Sequence, residues 1–415
     1  MTTAINPVHA ALNVVMTKDR GRLLAALIAS VRDFQLAEDS LQDAVTSALD
    51  HWGRSGVPRN PAGWLMQVAR RKAIDRIRRG RSFDAKSAEY AALLELDQRD
   101  AEDEAGHHIP DHRLRLIFTC CHPALDLKTR VALTLRTLGG LTTPEIARAF
   151  LDRESAMAQR LSRARHKIAK AGVPFQIPDA DILPERLHSV LTVIYLIYNE
   201  GYAATAGAGQ VRLDLCEEAL FLARLMARLS PDEPEVHGLL ALILFTHSRR
   251  NARQNADGAY VPLEEQDRKL WDHALIAEGH AVLDGTKGIA RPGPFLIQAA
   301  ISALHCDAPQ AADTDWPQIV ALYRRLVTLD ASPVVKLNHA VALSNLNGPE
   351  AALPMLDQLA EEMAGYQPFH AAQADLFRRS KQPERAKTAY QKALSLTQVE
   401  CERAFLQARC DSLPQ

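Results

Sequence analysis

Between Pro61 and Arg81 the chain carries seven basic side chains, Arg70, Arg71, Lys72, Arg76, Arg78, Arg79 and Arg81, against the single carboxylate of Asp75. Cationic groups at that density neutralise phosphates and release counterions, the main sequence-independent source of affinity for nucleic acid. A second group, Ser155, Gln159, Arg160, Arg163 and Lys167, mixes hydroxyl, amide and cationic donors. Arg and Gln can pair bidentately with guanine and adenine edges, so these residues can read bases as well as hold backbone. Candidates for covalent chemistry are weaker. Asp257, Glu264, Asp267, His273 and His280 surround one polar loop, and Tyr195, Tyr198 and Tyr202 flank Asn199 and Glu200, but no glycine-rich phosphate loop, HExxH or nucleophile elbow accompanies them. The expectation is a protein that is not an enzyme and needs no cofactor, with Arg249, Arg250 and Arg253 pairing with Glu264, Glu265 and Asp267. Cys120, Cys121 and His122, with His107, His108 and His112 upstream, raise a metal site. Adjacent cysteines on a helix diverge by about 100° and no CxxC spacing is present, so the segment Leu114 to His122 reads as a core helix with its thiols as small hydrophobes, and no metal is expected.

The elements that must position these groups are helices. Trp64, Leu65, Val68, Ala69, Ala73, Ile74 and Ile77 recur mostly at threes and fours, an inward stripe that leaves the arginines outside. From Thr142 to Lys170, Thr142 or Thr143 can cap a helix that has Pro144 early and Glu145 in its first turn. Ile146, Ala147 and Phe150 give it an apolar face; after a break at residues 151–153, Met157, Leu161, Ala164 and Ile168 do the same for a second, basic helix. Two short helices joined by a tight turn, the second basic, form the pattern of a helix-turn-helix.

Three stretches in this order resemble an extracytoplasmic-function sigma factor, of the group bearing a C-terminal tetratricopeptide-repeat-like (TPR-like) extension. Residues Ala37 to Ala44 resemble the helix that docks on the clamp helices of the polymerase β′ subunit. Pro61 to Arg81 resembles the promoter-melting helix that binds the minus-ten element, with Trp64 in the family's tryptophan position. Glu145 to Arg165 aligns without a gap to the minus-thirty-five helix-turn-helix. The resemblance implies a bacterial, cytoplasmic, nucleoid-associated initiation factor whose partners are core RNA polymerase (β′ clamp helices and β flap) and promoter DNA. It implies core contacts at Asp39, Gln42 and Asp43, minus-ten contacts at Trp64, Arg70, Arg71, Lys72, Arg76, Arg78 and Arg79, and a pocket for a flipped base between Trp52 and Gly63. Minus-thirty-five contacts fall at Ser155, Gln159, Arg160, Arg163 and Lys167. Two departures stand out. Leu151 and Arg153 occupy the turn, so Asp152 or a local 3₁₀ turn is expected to cap the recognition helix, and Ala158 and Gln159 replace a lysine-serine pair.

Charge divides the chain. Residues 1–178 carry a net +7 and residues 179–415 a net −8, a contrast hidden by the overall −1. Within the first half, residues 84–111 hold nine acids and only Lys86 and Arg99, so a polyanionic tether is expected between two basic lobes. At 415 residues the chain exceeds one core. Six scattered cysteines form no disulfide framework, and the longest apolar run, Val190 to Tyr198, falls short of the roughly 20 residues of a membrane span.

The extension contains a repeat: Pro349-Glu350-Ala351-Ala352 recurs as Pro383-Glu384-Arg385-Ala386, and the same offset of 34 joins Ala340 to Ala374, Leu356 to Tyr390 and Ala360 to Leu394. Thirty-four residues is the period of tetratricopeptide repeats, which stack helix pairs and bind proteins far more often than they catalyse. Upstream, Glu235 to Arg250 and Leu263 to Leu283 read as a helix pair around a polar loop. The fold expected is all-α: a lobe at 1–82, an acidic linker at 83–112, a helix-turn-helix lobe at 113–173, a stiff junction from Val173 to Pro178, and a TPR-like regulatory extension with a protein partner at 179–415. The rival reading is a helix-turn-helix activator or repressor, with a TPR interaction domain, that works without being a polymerase subunit.

Overall fold

The structure, a computed structural model, describes residues 7–31, 33–79, 109–150, 152–179, 181–202, 213–255, 259–288, 291–397 and 399–414. Residues 83–108 of the acidic tether, with His107 and His108, and Asp257 lie outside the described residues, and from Ile109 on the segment expected to be tether is already helical. Helices account for the regular structure and no strand is present among the described residues, as the periodicities require. The chain folds as two compact units, Met1–Ile197 and Tyr198–Gln415.

In the first unit, α1 (Pro7–Lys18), α2 (Arg20–Val31), α3 (Phe34–Ser55) and α4 (Pro61–Arg79) form one lobe. Asp33 caps α3 through the amide of Leu36, and the helix runs on through Trp52 until Gly56, at φ 79°, ends it. The loop expected from Trp52 to Gly63 is therefore confined to residues 56–60. Along α4 the fully buried positions are Leu65, Ala69 and Ala73, one per turn. The second lobe comprises α5 (Ile109–Cys120), α6 (Leu127–Thr137), α7 (Thr143–Ala149) and α8 (Glu154–Lys170). Cys120 and Cys121 are buried in it, bonded to Thr137 and Thr134, and burial raises both thiol pKa values, that of Cys121 to about 12. No metal-ligating cluster exists among the described residues.

After the non-helical segment 173–178 comes α9 (Leu183–Tyr202), whose first turns fasten to the second lobe. Arg186 donates to the carbonyl of Phe118 at 2.6 Å, and Arg130 donates to the Ser189 hydroxyl at 2.6 Å.

The second unit continues with α10 (Leu213–Leu229), α11 (Pro234–Ser248), α12 (His273–Asp284), α13 (Pro294–Asp307), α14 (Trp316–Leu329), α15 (Pro333–Asn347), α16 (Leu353–Leu359), α17 (Gln367–Arg379), α18 (Pro383–Leu396) and α19 (Glu400–Asp411). The offset of 34 has a structural counterpart. It separates the starts of α15 and α17, and it separates the 3₁₀ turn at Pro349 from the start of α18. Its equivalent residues share depth: Ala340 and Ala374 are both 0% exposed, and so are Ala352 and Ala386. The helix expected from Leu263 begins only at His273. Two 3₁₀ turns, Leu263–Glu265 and Arg268–Leu270, precede it, and Asp272 caps it through the amide of Leu275.

Helices α11 and α13 pack with little between their backbones. A Cβ at Gly238 would lie 2.5 Å from the backbone nitrogen of Leu296, while the Glu235 carboxylate accepts from the amides of Phe295 and Leu296 at 2.9 and 3.2 Å. Gly238→Ala, which raises helix propensity, is expected to destabilise this unit all the same, by about 1–3 kcal/mol, because the methyl meets backbone rather than a side chain that can turn away. An unchanged denaturant midpoint would contradict the close approach.

Candidate nucleic-acid interface

The recognition-type helix α8 buries Met157, Leu161, Ala164 and Ile168. With that stripe inward, Ser155, Gln159, Arg163 and Lys167, spaced by four, fall together on the exposed face. The preceding α7 is held by a reciprocal cap: the Glu145 amide donates to the Thr142 hydroxyl at 3.4 Å, and the Thr142 amide donates to Glu145 Oε2 at 2.6 Å. Asp152 does not cap α8. The cap position is Arg153, with no side-chain bond, and the Asp152 carboxylate instead takes Lys128 at 3.1 Å and Arg160 at 3.4 Å. Arg160, expected among the base readers, is thus drawn sideways into an ion pair and is half-buried.

On α4, Arg71 and Arg78 are exposed while Arg70 and Lys72 are half-buried. Arg76 spans two carboxylates one turn apart on α3, Asp39 at 3.1 Å and Asp43 at 2.8 Å, and Asp39 also accepts from Gln35 at 2.8 Å. A residue expected to hold DNA and two expected to hold polymerase therefore hold one another; Gln42 remains exposed beside them. Trp64 is half-buried, stacked on His51 at 5.5 Å and edge-on to the buried Trp52 at 5.4 Å.

Sequence reasoning passed over the residue that ties the two lobes together. Glu38, one position before Asp39, is 4% exposed and receives three arginines: Arg20 from α2 at 3.1 Å, Arg136 from α6 at 3.1 Å, and Arg165 from α8. Arg20 also donates to the carbonyl of Arg136 at 3.2 Å. Burial, then repulsion from Arg136, lowers the Arg20 pKa to about 10 against the pull of Glu38. The signal was present in the stripe Phe34, Ala37, Leu41, Ala44 and Ala48, whose period places Glu38 on the inward face. Around the cluster the lobes touch closely: a Cβ at Gly21 of α2 would lie 3.3 Å from Leu138, just past α6.

Two basic helical faces on two lobes can now be set beside known proteins. The family description "Sigma-70 region 2" matches residues 16–83, and "Sigma-70, region 4" matches residues 115–168. The chain belongs to the sigma-70 family. A third match, a family of unknown function (DUF6596), covers residues 186–287 of this sigma factor, from α9 past the end of α12. An uncharacterized protein of Rhizobium meliloti (strain 1021) is 44% identical over 405 residues, spanning 97% of this chain and 96% of the relative, so the sigma regions and the extension recur together there. No solved structure matches. The sigma regions imply binding to core RNA polymerase and promoter DNA, and no described helix is long and apolar enough to cross a membrane.

Removing the Glu38 charge as Glu38→Gln leaves three guanidiniums converging on a neutral amide. Stranding buried charge costs on the order of 3–5 kcal/mol. The expected result is faster amide exchange along α2 and α6, which carry Arg20 and Arg136, with no change in α11 or α13; equal protection in variant and wild type would show that the cluster does not hold the lobes.

Proposed function

We propose that this sigma factor, of extracytoplasmic-function type, recognises minus-thirty-five and minus-ten promoter elements and opens the DNA between them and the start site. The observation that carries the reading is the pair of basic faces, α4 and the Ser155-Gln159-Arg163-Lys167 stripe of α8, on lobes that match regions 2 and 4. Asp39, Gln42 and Asp43 engage the polymerase clamp. Trp64, Arg70, Arg71, Lys72, Arg76, Arg78 and Arg79 hold the minus-ten region, and Arg160 joins the stripe at the upstream element. The domain division follows: 1–82, 83–112, 113–173 and an extension at 179–415 that controls activity through a TPR-like surface.

This reading demands movement. Elements centred about 25 base pairs apart lie roughly 85 Å apart along duplex DNA at about 3.4 Å per pair, whereas Glu38 holds α3 directly to α8. Polymerase binding must therefore part the lobes, and the same event frees Arg76 and Arg160 only if their carboxylates find other partners. Because Arg186 and Ser189 of α9 anchor to the second lobe, the first turns of the extension are joined to the DNA-reading lobe by packing as well as by covalent connection.

Purified full-length protein with core polymerase is expected to give specific run-off transcripts while binding promoter duplex only weakly by itself. Tight operator binding without polymerase, together with no transcript, would instead establish an ordinary activator or repressor. Within the interface, Gln159→Ala or Arg163→Ala is expected to change which upstream sequences are used, by about 1–3 kcal/mol for each bidentate pairing with a base that the substitution removes. Arg71→Ala should weaken all promoters alike and flatten the salt dependence. A promoter library that responds identically to both kinds of variant would refute this division between reading and holding.

A further inference from the structure

The second unit is rich in acids, yet at the end of α11 and in the loop after it four arginines gather: Arg249, Arg250, Arg253 and Arg268. Of the three loop acids expected to pair with Arg249, Arg250 and Arg253, two are used elsewhere, and the third, Glu264, is exposed and bonds to none of them. Glu265 pairs with Arg409, and Asp267 caps the 3₁₀ turn by accepting from the Lys269 amide at 3.0 Å. Arg250 is neutralised by Asp272 at 3.0 Å, and Arg253 donates to the carbonyl of Tyr202 while lying over its ring at 3.8 Å. Arg249 and Arg268 are left. Both lie against one aromatic ring, their guanidinium carbons 5.9 and 4.8 Å from the centroid of Trp271. Neither guanidinium makes a hydrogen bond or ion pair with another described residue, and the Nε of each is buried without a partner. Glu264 and Asp313 act on Arg268 only through space.

Two like charges gathered on one ring repel each other, and half-buried guanidiniums without acceptors are costly. A second, independent sign of a missing acceptor comes from Trp271 itself: the side chain is 3% exposed and its Nε1–H, a group that can only donate, has no partner. The surplus positive potential is felt nearby, where burial and then Arg249 and Arg268 lower the pKa of His305 to about 4, so that the ring adds no charge at neutral pH. What the cluster lacks is one anion with many acceptor lone pairs and a charge near −2.

We propose that Arg249, Arg268 and the indole N–H of Trp271 form a binding site for a phosphate group carried by a small molecule. A phosphomonoester carries about −1.5 to −2 at pH 7 and three strong acceptor oxygens, matching two forked donors and one indole donor better than a carboxylate does. The site lies within the stretch of unknown function at 186–287 and does not depend on the promoter-binding reading. It would give the extension a small-molecule input alongside any protein partner.

Isothermal titration of the full-length protein, without polymerase or DNA, tests this directly. Inorganic phosphate and AMP are the probes, and acetate is the control. Saturable binding at one site per chain is expected: equal affinity would mean that only the phosphate group is read, and tighter AMP binding that its organic part is read too. Arg249→Gln and Arg268→Gln should each weaken binding by at least about tenfold, whereas Arg325→Gln, an exposed arginine on α14, should not. If either glutamine variant melts early, Arg268→Lys keeps the stem and charge but loses the fork, and should still bind more weakly. Absence of saturable binding, acetate competing as well as phosphate, or affinities unmoved by the Arg249 and Arg268 variants would overturn the proposal.

Discussion

One carboxylate organises the sigma portion of this protein. Glu38 is buried where α2, α3, α6 and α8 converge, and three guanidiniums share it. Such a cluster is unbalanced by two positive charges, and its members have lost water. An arrangement of that kind is stable only while geometry keeps all three donors on the same two oxygens, since an uncompensated buried charge costs more than a good pair returns. The contact between the lobes is therefore specific, through charge and hydrogen-bond direction, yet open to competition from any surface that offers Arg136 and Arg165 another acceptor.

The smaller ion pairs follow the same logic at lower stakes. Arg76 on Asp39 and Asp43, and Arg160 on Lys128's partner Asp152, are partly exposed, so water screens them and their exchange for phosphate or protein contacts is inexpensive. They mark the difference between residues that bear charge and residues that present it. The exposed stripe of α8 presents donors outward. Arg76 and Arg160 are held by carboxylates of their own lobe and would have to give up those partners to meet any other.

In the extension, helix pairs of matching register bury alanines at equivalent positions, Ala340 with Ala374 and Ala352 with Ala386, and this allows neighbouring helices to approach. The irregular part is the segment between α11 and α12, where two 3₁₀ turns replace the first part of the helix expected from Leu263. Asp272 supplies the local cause by starting α12 at His273. The arginines stranded there are a feature that a regular solenoid would not need.

How much could be read in advance follows from the range of each interaction. Helical period, capping residues and charge density act within one or two turns, and so the stripe of α4, a threonine cap ahead of Pro144, the outward face of α8 and the 34-residue repeat were legible in the residues alone, while the choice of Thr142 over Thr143 was not. Pairings across the fold were not. Asp152 had the right type and position to cap α8 but found Lys128 and Arg160 instead, and Glu265 left its neighbouring arginines for Arg409, far along the chain. A side chain several ångströms long chooses among partners brought within its reach by packing, and packing depends on every helix at once. The sequence by itself determined which faces are apolar, which are basic and where helices begin; only the tertiary structure decided which charges meet, and through Glu38, that the two DNA-binding lobes are held together.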